Sequence, residues 1–283
     1  MTVRRPPATK ISAVVSDIDG TLVTDDKVLT ERNRLAAASL RKAGIAFTVI
    51  SSRPPRGAAD LVKRLEITLP SGCFNGGVLV APDSSPIEQH LLPPDTARQT
   101  VDLITAGGAA VWIFSGQDWY LHDPLGAYVE LEKRTVGFLP VAIADFGALL
   151  DKAAKIVGVS ADPALLERCE GAVRTALGGA ATVVRSQAYY LDVTDRAANK
   201  GAGLIALSKL MSIPLSEIAV IGDGDNDVAM FEQAGLSIAI GNGKPAAKAA
   251  ADFLTDGNGE DGFAKAIDRF ILGGDRTTSR AAS

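Results

Sequence analysis

The stretch Ile11-Ser12-Ala13-Val14-Val15-Ser16-Asp17-Ile18-Asp19-Gly20-Thr21-Leu22 decides how the chain is read. Its first five residues form a short run rich in β-branched side chains, which then breaks at two carboxylates and a glycine. That pattern predicts a strand running into a loop. A helical pattern follows over residues 30–42 and closes at Gly44, so the unit is strand, loop, helix. A second apolar run, 45–50, ends at Ser51-Ser52-Arg53-Pro54-Pro55, after which 57–65 reads as helix with Pro55 tolerable in its first turn. The same alternation returns near the end as helix 200–211, strand 218–221, a Gly/Asp-rich loop, helix 227–234 and strand 237–240. Such β-α-β alternation predicts an α/β fold with a doubly wound parallel sheet, a Rossmann-like core.

Between these halves the texture changes. Asn75-Gly76-Gly77 marks a tight turn before a strand at 78–80, and a Pro/Ser/Asp loop begins at Pro82. Beyond it, 95–106 and 163–177 read as helices, and 110–114, 119–122, 154–159, 181–185 and 189–193 as strands. Both tryptophans and all four tyrosines fall between Trp112 and Tyr190. This middle is expected to be a separate α+β domain, 84–189, inserted into a core made of 1–83 and 190–283. The small, polar stretch 273–283 is expected to be disordered.

Composition narrows the classes. A chain of 283 residues, 47% hydrophobic, buries a sizeable core, and 33 acidic against 29 basic residues give none of the basic excess that nucleic-acid binding needs. Cys73 and Cys169 are far apart, which predicts reduced thiols rather than a disulfide framework or a cysteine zinc site. His90 and His122 are too isolated for a metal site. Residues 1–10 are basic and include Arg4-Arg5, but the apolar stretch 11–15 is too short for a signal segment, and no run approaches the ~20 apolar residues of a membrane span. A soluble, cytoplasmic monomer or homodimer is expected.

Asp17 and Asp19 end the first strand, where open α/β sheets place their ligands, and their i, i+2 spacing puts both side chains on one face. Gly20 lets the chain turn at once. Two carboxylates this close need a cation or a shared proton, and hard oxygen ligands favour Mg²⁺. Taken alone, the run also suits a solvated turn. Gly222-Asp223-Gly224-Asp225-Asn226-Asp227 repeats the arrangement after another β-branched strand, although Asp225 or Asn226 could simply cap a helix beginning at Asp227. A calcium loop fails here, because Val228 stands at the turn-glycine position and Ala234 at the bidentate-glutamate position. Gly241-Asn242-Gly243-Lys244 lacks the third glycine of a dinucleotide fingerprint and the Ser/Thr of a P-loop, so it reads as a strand-to-helix turn. Ser51 and Lys200 lie between the two clusters, each uninformative alone.

In this order, Asp17-Ile-Asp19-Gly-Thr-Leu22, Ser51-Ser52-Arg53, Lys200 and Gly222-Asp223-Gly-Asp-Asn226-Asp227 resemble the four motifs of the haloacid dehalogenase superfamily of phosphatases. The chain is most similar to the Cof-type (subfamily IIB) hydrolases, whose α+β cap is inserted between the second and third motifs. The likeness is nearly continuous from Tyr190 to Ile267, through Asn199-Lys200-Gly201 and Gly259-Glu260-Asp261-Gly262. The resemblance implies that Asp17 is a nucleophile forming an aspartyl-phosphate and Asp19 the acid/base. It implies that Lys200 and Ser51, with Ser52, Arg53 and Asn226, bind phosphate or substrate. It also implies that Asp17, the Asp19 main-chain carbonyl and Asp223 hold Mg²⁺, with Asp227 ordering that shell or Lys200. Ser51 stands where many relatives have threonine and Ser52 where many have glycine.

The implied reaction is Mg²⁺-dependent hydrolysis of a small phosphorylated metabolite such as a sugar phosphate. A phosphomutase of the phosphomannomutase type and a catalytically silent sugar-phosphate-binding protein are the alternatives. In the inserted domain Trp112, Trp119, His122, Arg134, Tyr189 and Tyr190 are the side chains most able to meet a substrate, though the aromatics are expected mainly to fill the core.

Overall fold

The strand that opens the chain, Ala13–Ser16, is buried at every residue and lies between two parallel neighbours, Ile218–Gly222 and Ala46–Val49. Leu236–Ala239 and Phe253–Leu254 extend the sheet to five strands, all parallel. This is the predicted doubly wound core. The computed structural model describes residues 10–273, so Arg4-Arg5 and the expected tail beyond Gly273 lie outside the described residues. Helix Glu31–Lys42 begins where Thr30 accepts a hydrogen bond from the Asn33 amide, 3.2 Å, a local cap that the sequence pattern anticipates. Helix Lys200–Met211 packs Leu204 and Leu207 into a core with Val15, Ile50, Val220 and Met230. A short antiparallel pair, Ser71–Cys73 with Val78–Val80, flanks the Asn75 turn. Cys73 and Cys169 are both free and buried, and burial pushes the Cys73 thiol up to about 12.

The described residues form two compact units, one of 10–52, 59–85 and 199–273, the other of Arg53–Ala58 and Pro86–Ala198. The second unit carries a six-stranded sheet in the order Ala181–Gln187, Tyr190–Asp195, Ala153–Val159, Ala110–Ser115, Asp118–Leu121, Val141–Ala142. Helices Pro94–Ala106 and Pro163–Leu177 cover one face, burying Ile104, Leu166 and Val173 against Ile113, Ile156 and Leu191. The chain leaves the second unit later than the expected 189/190 boundary. Strand Tyr190–Asp195 pairs antiparallel with both Ala181–Gln187 and Ala153–Val159, so it closes the second sheet and the chain returns to the first unit only at Asn199.

Trp112 and Trp119 are buried with ring centroids 5.0 Å apart, and Tyr190 packs edge-on against Trp112 at 5.3 Å, so these aromatics are core. Tyr189 stacks on Tyr128 at 4.2 Å. His122 is exposed, donates from Nδ1 to the Ile143 carbonyl at 2.8 Å and lies on Phe146; Arg134 is also exposed. Helix Val129–Val136 is an element the sequence reading did not contain.

Candidate active site

The strands Ala13–Ser16, Ala46–Val49 and Ile218–Gly222 run in register, Ser16 opposite both Ile221 and Val49. Asp17, Ser51 and Asp223 therefore leave the sheet at one edge. Asp17 is buried, its amide donating to the Ile221 carbonyl at 2.9 Å. Lys200 enters from the first turn of its helix, where the Asn199 side chain accepts from the Ala202 amide at 2.9 Å. Fully buried, the Lys200 ammonium donates to Asp17 Oδ1 and to Asp227 Oδ1, both at 2.6 Å. Asp227 Oδ2 accepts from the amides of Asp223 and Gly224 at 2.8 and 2.7 Å, and Asp223 Oδ1 accepts from Thr21 Oγ1 at 2.7 Å.

One oxygen from each of Asp17, Asp223 and Asp227 lies within 4.8 Å of the others. Two glycines make room for them. Gly20 has φ +82°, and a Cβ there would strike the Asp223 carboxylate; a Cβ at Gly222 would strike that of Asp227. Helix Val228–Phe231 is shorter than the expected 227–234: a 3₁₀ turn Asp225–Asp227 comes first, with the Asp227 carboxylate folded back onto the preceding amides, and past Phe231 the chain turns, the Gln233 and Ala234 amides both donating to the Met230 carbonyl.

Burial raises the Asp17 carboxyl well above the usual range, opposed by Lys200 and reinforced by Asp227 and Asp223. Burial raises Asp223 as well; the Thr21 hydrogen bond pulls it down and Asp227 pushes it up. Burial works against the Lys200 charge, but Asp17 and Asp227 outweigh it and lift its pKa above that of an ordinary lysine. Two carboxylates thus share one ammonium, with a third beside them. An all-oxygen, net-negative, buried cluster fits a hard divalent cation. Asp227 has both oxygens engaged, which leaves Asp17 and Asp223 as the carboxylates best able to lend one.

Asp19 is half-buried outside the cluster, with Oδ1 2.9 Å from Lys27 Nζ. Ser51 is buried; its amide donates to the Gly72 carbonyl at 2.9 Å and its carbonyl accepts from the Asn75 amide at 2.8 Å. Ser52 is half-buried. Arg53 belongs to the other unit, where Nη1 donates to the Gly57 carbonyl at 3.2 Å. Asn226 is exposed and donates from Nδ2 to Asn75 Oδ1 at 2.9 Å. Lys27 and Asn75 had no assigned role in the sequence reading. Asn75 carries a signal that could have flagged it, a left-handed turn beside two glycines.

A family model described as haloacid dehalogenase-like hydrolase matches residues 14–267. A 5-amino-6-(5-phospho-D-ribitylamino)uracil phosphatase of Bacillus subtilis is 26% identical over 282 residues, 93% of this chain and 98% of the relative. A phosphatase of the same description from Escherichia coli is 26% identical over 274 residues, 92% of this chain and 96% of its own. A crystal structure of a haloacid dehalogenase-like hydrolase from Bacteroides thetaiotaomicron superposes with a TM-score of 0.85 at 29% identity, covering 93% of this chain and 100% of that one. The chain belongs to the haloacid dehalogenase-like hydrolases, in their Cof-type branch, and is a phosphatase. Among the described residues no helix is long and apolar enough to cross a membrane.

Proposed function

We propose that the chain is a Mg²⁺-dependent phosphomonoesterase that cleaves a small sugar or sugar-alcohol phosphate through an aspartyl-phosphate on Asp17. The observation that carries this reading is the buried Lys200 bridging Asp17 and Asp227 beside Asp223. Substrate chemistry comes from the two relatives named for a phosphoribityl compound.

In the first step a carboxylate oxygen of Asp17 bonds to phosphorus, the ester P–O bond breaks, and Asp19 gives its proton to the departing alkoxide. In the second, a water loses a proton to Asp19 and bonds to phosphorus, the P–O bond to Asp17 breaks, and inorganic phosphate leaves. Lys200 and Ser51 hold phosphoryl oxygens, with Ser52 and Asn226 contributing by their motif positions. Asp17, the main-chain carbonyl of Asp19, and Asp223 would hold the cation, while Asp227 keeps Lys200 and the loop in place. Bound there, Mg²⁺ would supply positive charge that offsets the carboxylates and the phosphate. Burial raises the Asp17 carboxyl, Lys200 opposes that rise and the acidic neighbours reinforce it, so the added charge of a cation works in favour of its anionic form. The reading is of a cytoplasmic enzyme, monomeric or homodimeric, in keeping with its two free thiols.

Asp17→Asn is the decisive test. Release of inorganic phosphate from p-nitrophenyl phosphate in Mg²⁺ should fall by at least ~10⁴-fold. Substantial turnover in the variant rules out Asp17 as nucleophile, and transfer to a second substrate hydroxyl without phosphate release identifies a mutase instead.

A further inference from the structure

A turn next to the catalytic loop is strained and heavily braced, and its bracing presents one lysine to Asp19. Lys27 has φ 63°, a left-handed backbone that a non-glycine residue adopts only when its surroundings impose it. The Lys27 amide donates to the Thr24 carbonyl at 2.9 Å, and the Thr24 amide donates to the Val28 carbonyl at 3.0 Å, closing a tight loop. Asn258, which is buried, donates from Nδ2 to the Val23 carbonyl and to Asp25 Oδ1, both at 3.0 Å. Its amide donates to Asn242 Oδ1 at 2.8 Å, and Asn242 Nδ2 donates to the Gly20 carbonyl at 2.9 Å. One chain of amide side chains therefore ties the lysine's turn to the residue that follows Asp19. At its end the Lys27 ammonium lies 2.9 Å from Asp19 Oδ1, with the Asp19 side chain only 22% exposed.

We propose that Lys27 is a positioning residue for Asp19. By taking Oδ1 it fixes the side chain as an oriented carboxylate for the second step, in which Asp19 accepts the proton of the hydrolytic water. The contact acts through the direction it gives the side chain, which matters where Asp19 must meet the hydrolytic water and does nothing for a leaving group that departs as a stable anion. The inference rests on the reading of Asp19 as acid/base, so its test carries that residue as an internal reference.

Rapid mixing of the Mg²⁺-loaded enzyme with p-nitrophenyl phosphate separates the steps, because p-nitrophenolate leaves without a proton and only the second step then needs Asp19. Lys27→Gly suits the left-handed backbone and removes the ammonium without straining the turn. It should keep the fast initial release of p-nitrophenolate while the steady-state rate falls about tenfold, and Lys27→Arg should restore most of that rate. Asp19→Asn should give the same pattern more severely. If Asp19→Asn slows both phases alike, the acid/base reading fails first. If Asp19→Asn shows the burst but Lys27→Gly slows both phases together or changes neither, the role given to Lys27 is wrong.

Discussion

Each unit pairs a lysine with carboxylate largely out of solvent, and the two differ in their balance of charge. In the second unit Lys155 and Asp192 meet at 2.8 Å, with 13% and 12% of their side chains exposed, and the ammonium also lies over the Phe114 ring at 5.4 Å. One positive charge faces one negative charge. In the first unit Lys200 is fully buried and serves two carboxylates, with a third beside them. Burial is common to both pairs, so burial alone does not mark chemistry. The excess of negative charge does, because it leaves Asp17 and Asp223 dependent on a further cation.

The comparison breaks most sharply at the lysines. Lys200→Met strands the carboxylates of Asp17 and Asp227, and should destabilise the protein by about 3–5 kcal/mol in urea titrations. Phosphate release should fall by about 10²–10³-fold. Lys155→Met leaves Asp192 unpaired, with an Oδ1 that already lacks a hydrogen-bond partner, and should cost about 1–3 kcal/mol. Adding Asp192→Leu should recover that loss, since a balanced buried pair is replaceable by apolar residues. Equal penalties at the two lysines would remove charge imbalance as the distinguishing feature.

The imbalance should also appear as a pH dependence. Asp17 and Asp223 bind their protons more tightly when folded than the ordinary carboxyl value of 3.8. Their contribution to stability is full below that value and is lost as pH rises through their raised folded values. In EDTA, Tm should therefore fall as pH rises above 3.8, and Asp17→Asn should flatten the slope. Mg²⁺ at a hundred times its Kd should add about 2.7 kcal/mol on the alkaline side. A metal-free Tm that rises over the same range contradicts the raised carboxyls.

Much of this site could be read from residue order. Asp17, Lys200 and Asp223 each stand at the end of a strand or the start of a helix, and those elements have strong local signals: a β-branched run, an Asn199 cap, a glycine after a strand. What escaped depends on contacts without such signals. Lys27 reaches Asp19 only because Asn258 and Asn242, more than two hundred residues later, brace its turn. Helix Val129–Val136 begins after Tyr128 in a left-handed conformation with no side-chain cap, so the usual start signal is missing. The strand expected at 189–193 is observed at Tyr190–Asp195, but its alternation says nothing about which sheet it joins. The pattern over 227–234 overshoots the helix at both ends, because Asp227 braces the turn before it and the Gln233 and Ala234 amides close on the Met230 carbonyl after it.

The smallest test matches two glycines of nearly equal φ, one in each unit. Gly20 has φ +82° and Gly137 φ +84°, so alanine pays the same left-handed strain at both, about 1 kcal/mol. Their surroundings differ. Gly137 ends helix Val129–Val136, and a Cβ there meets nothing within 4 Å, whereas at Gly20 it meets the Asp223 carboxylate. Gly137→Ala should lower stability by that amount and leave phosphate release unchanged. Gly20→Ala should lose more stability and also weaken the apparent Mg²⁺ affinity, because Asp223 must swing away from Thr21 and from the cluster. Unaltered Mg²⁺ dependence in Gly20→Ala would mean that the Asp223 carboxylate has room to move without leaving the metal, and that the glycine answers only to the backbone.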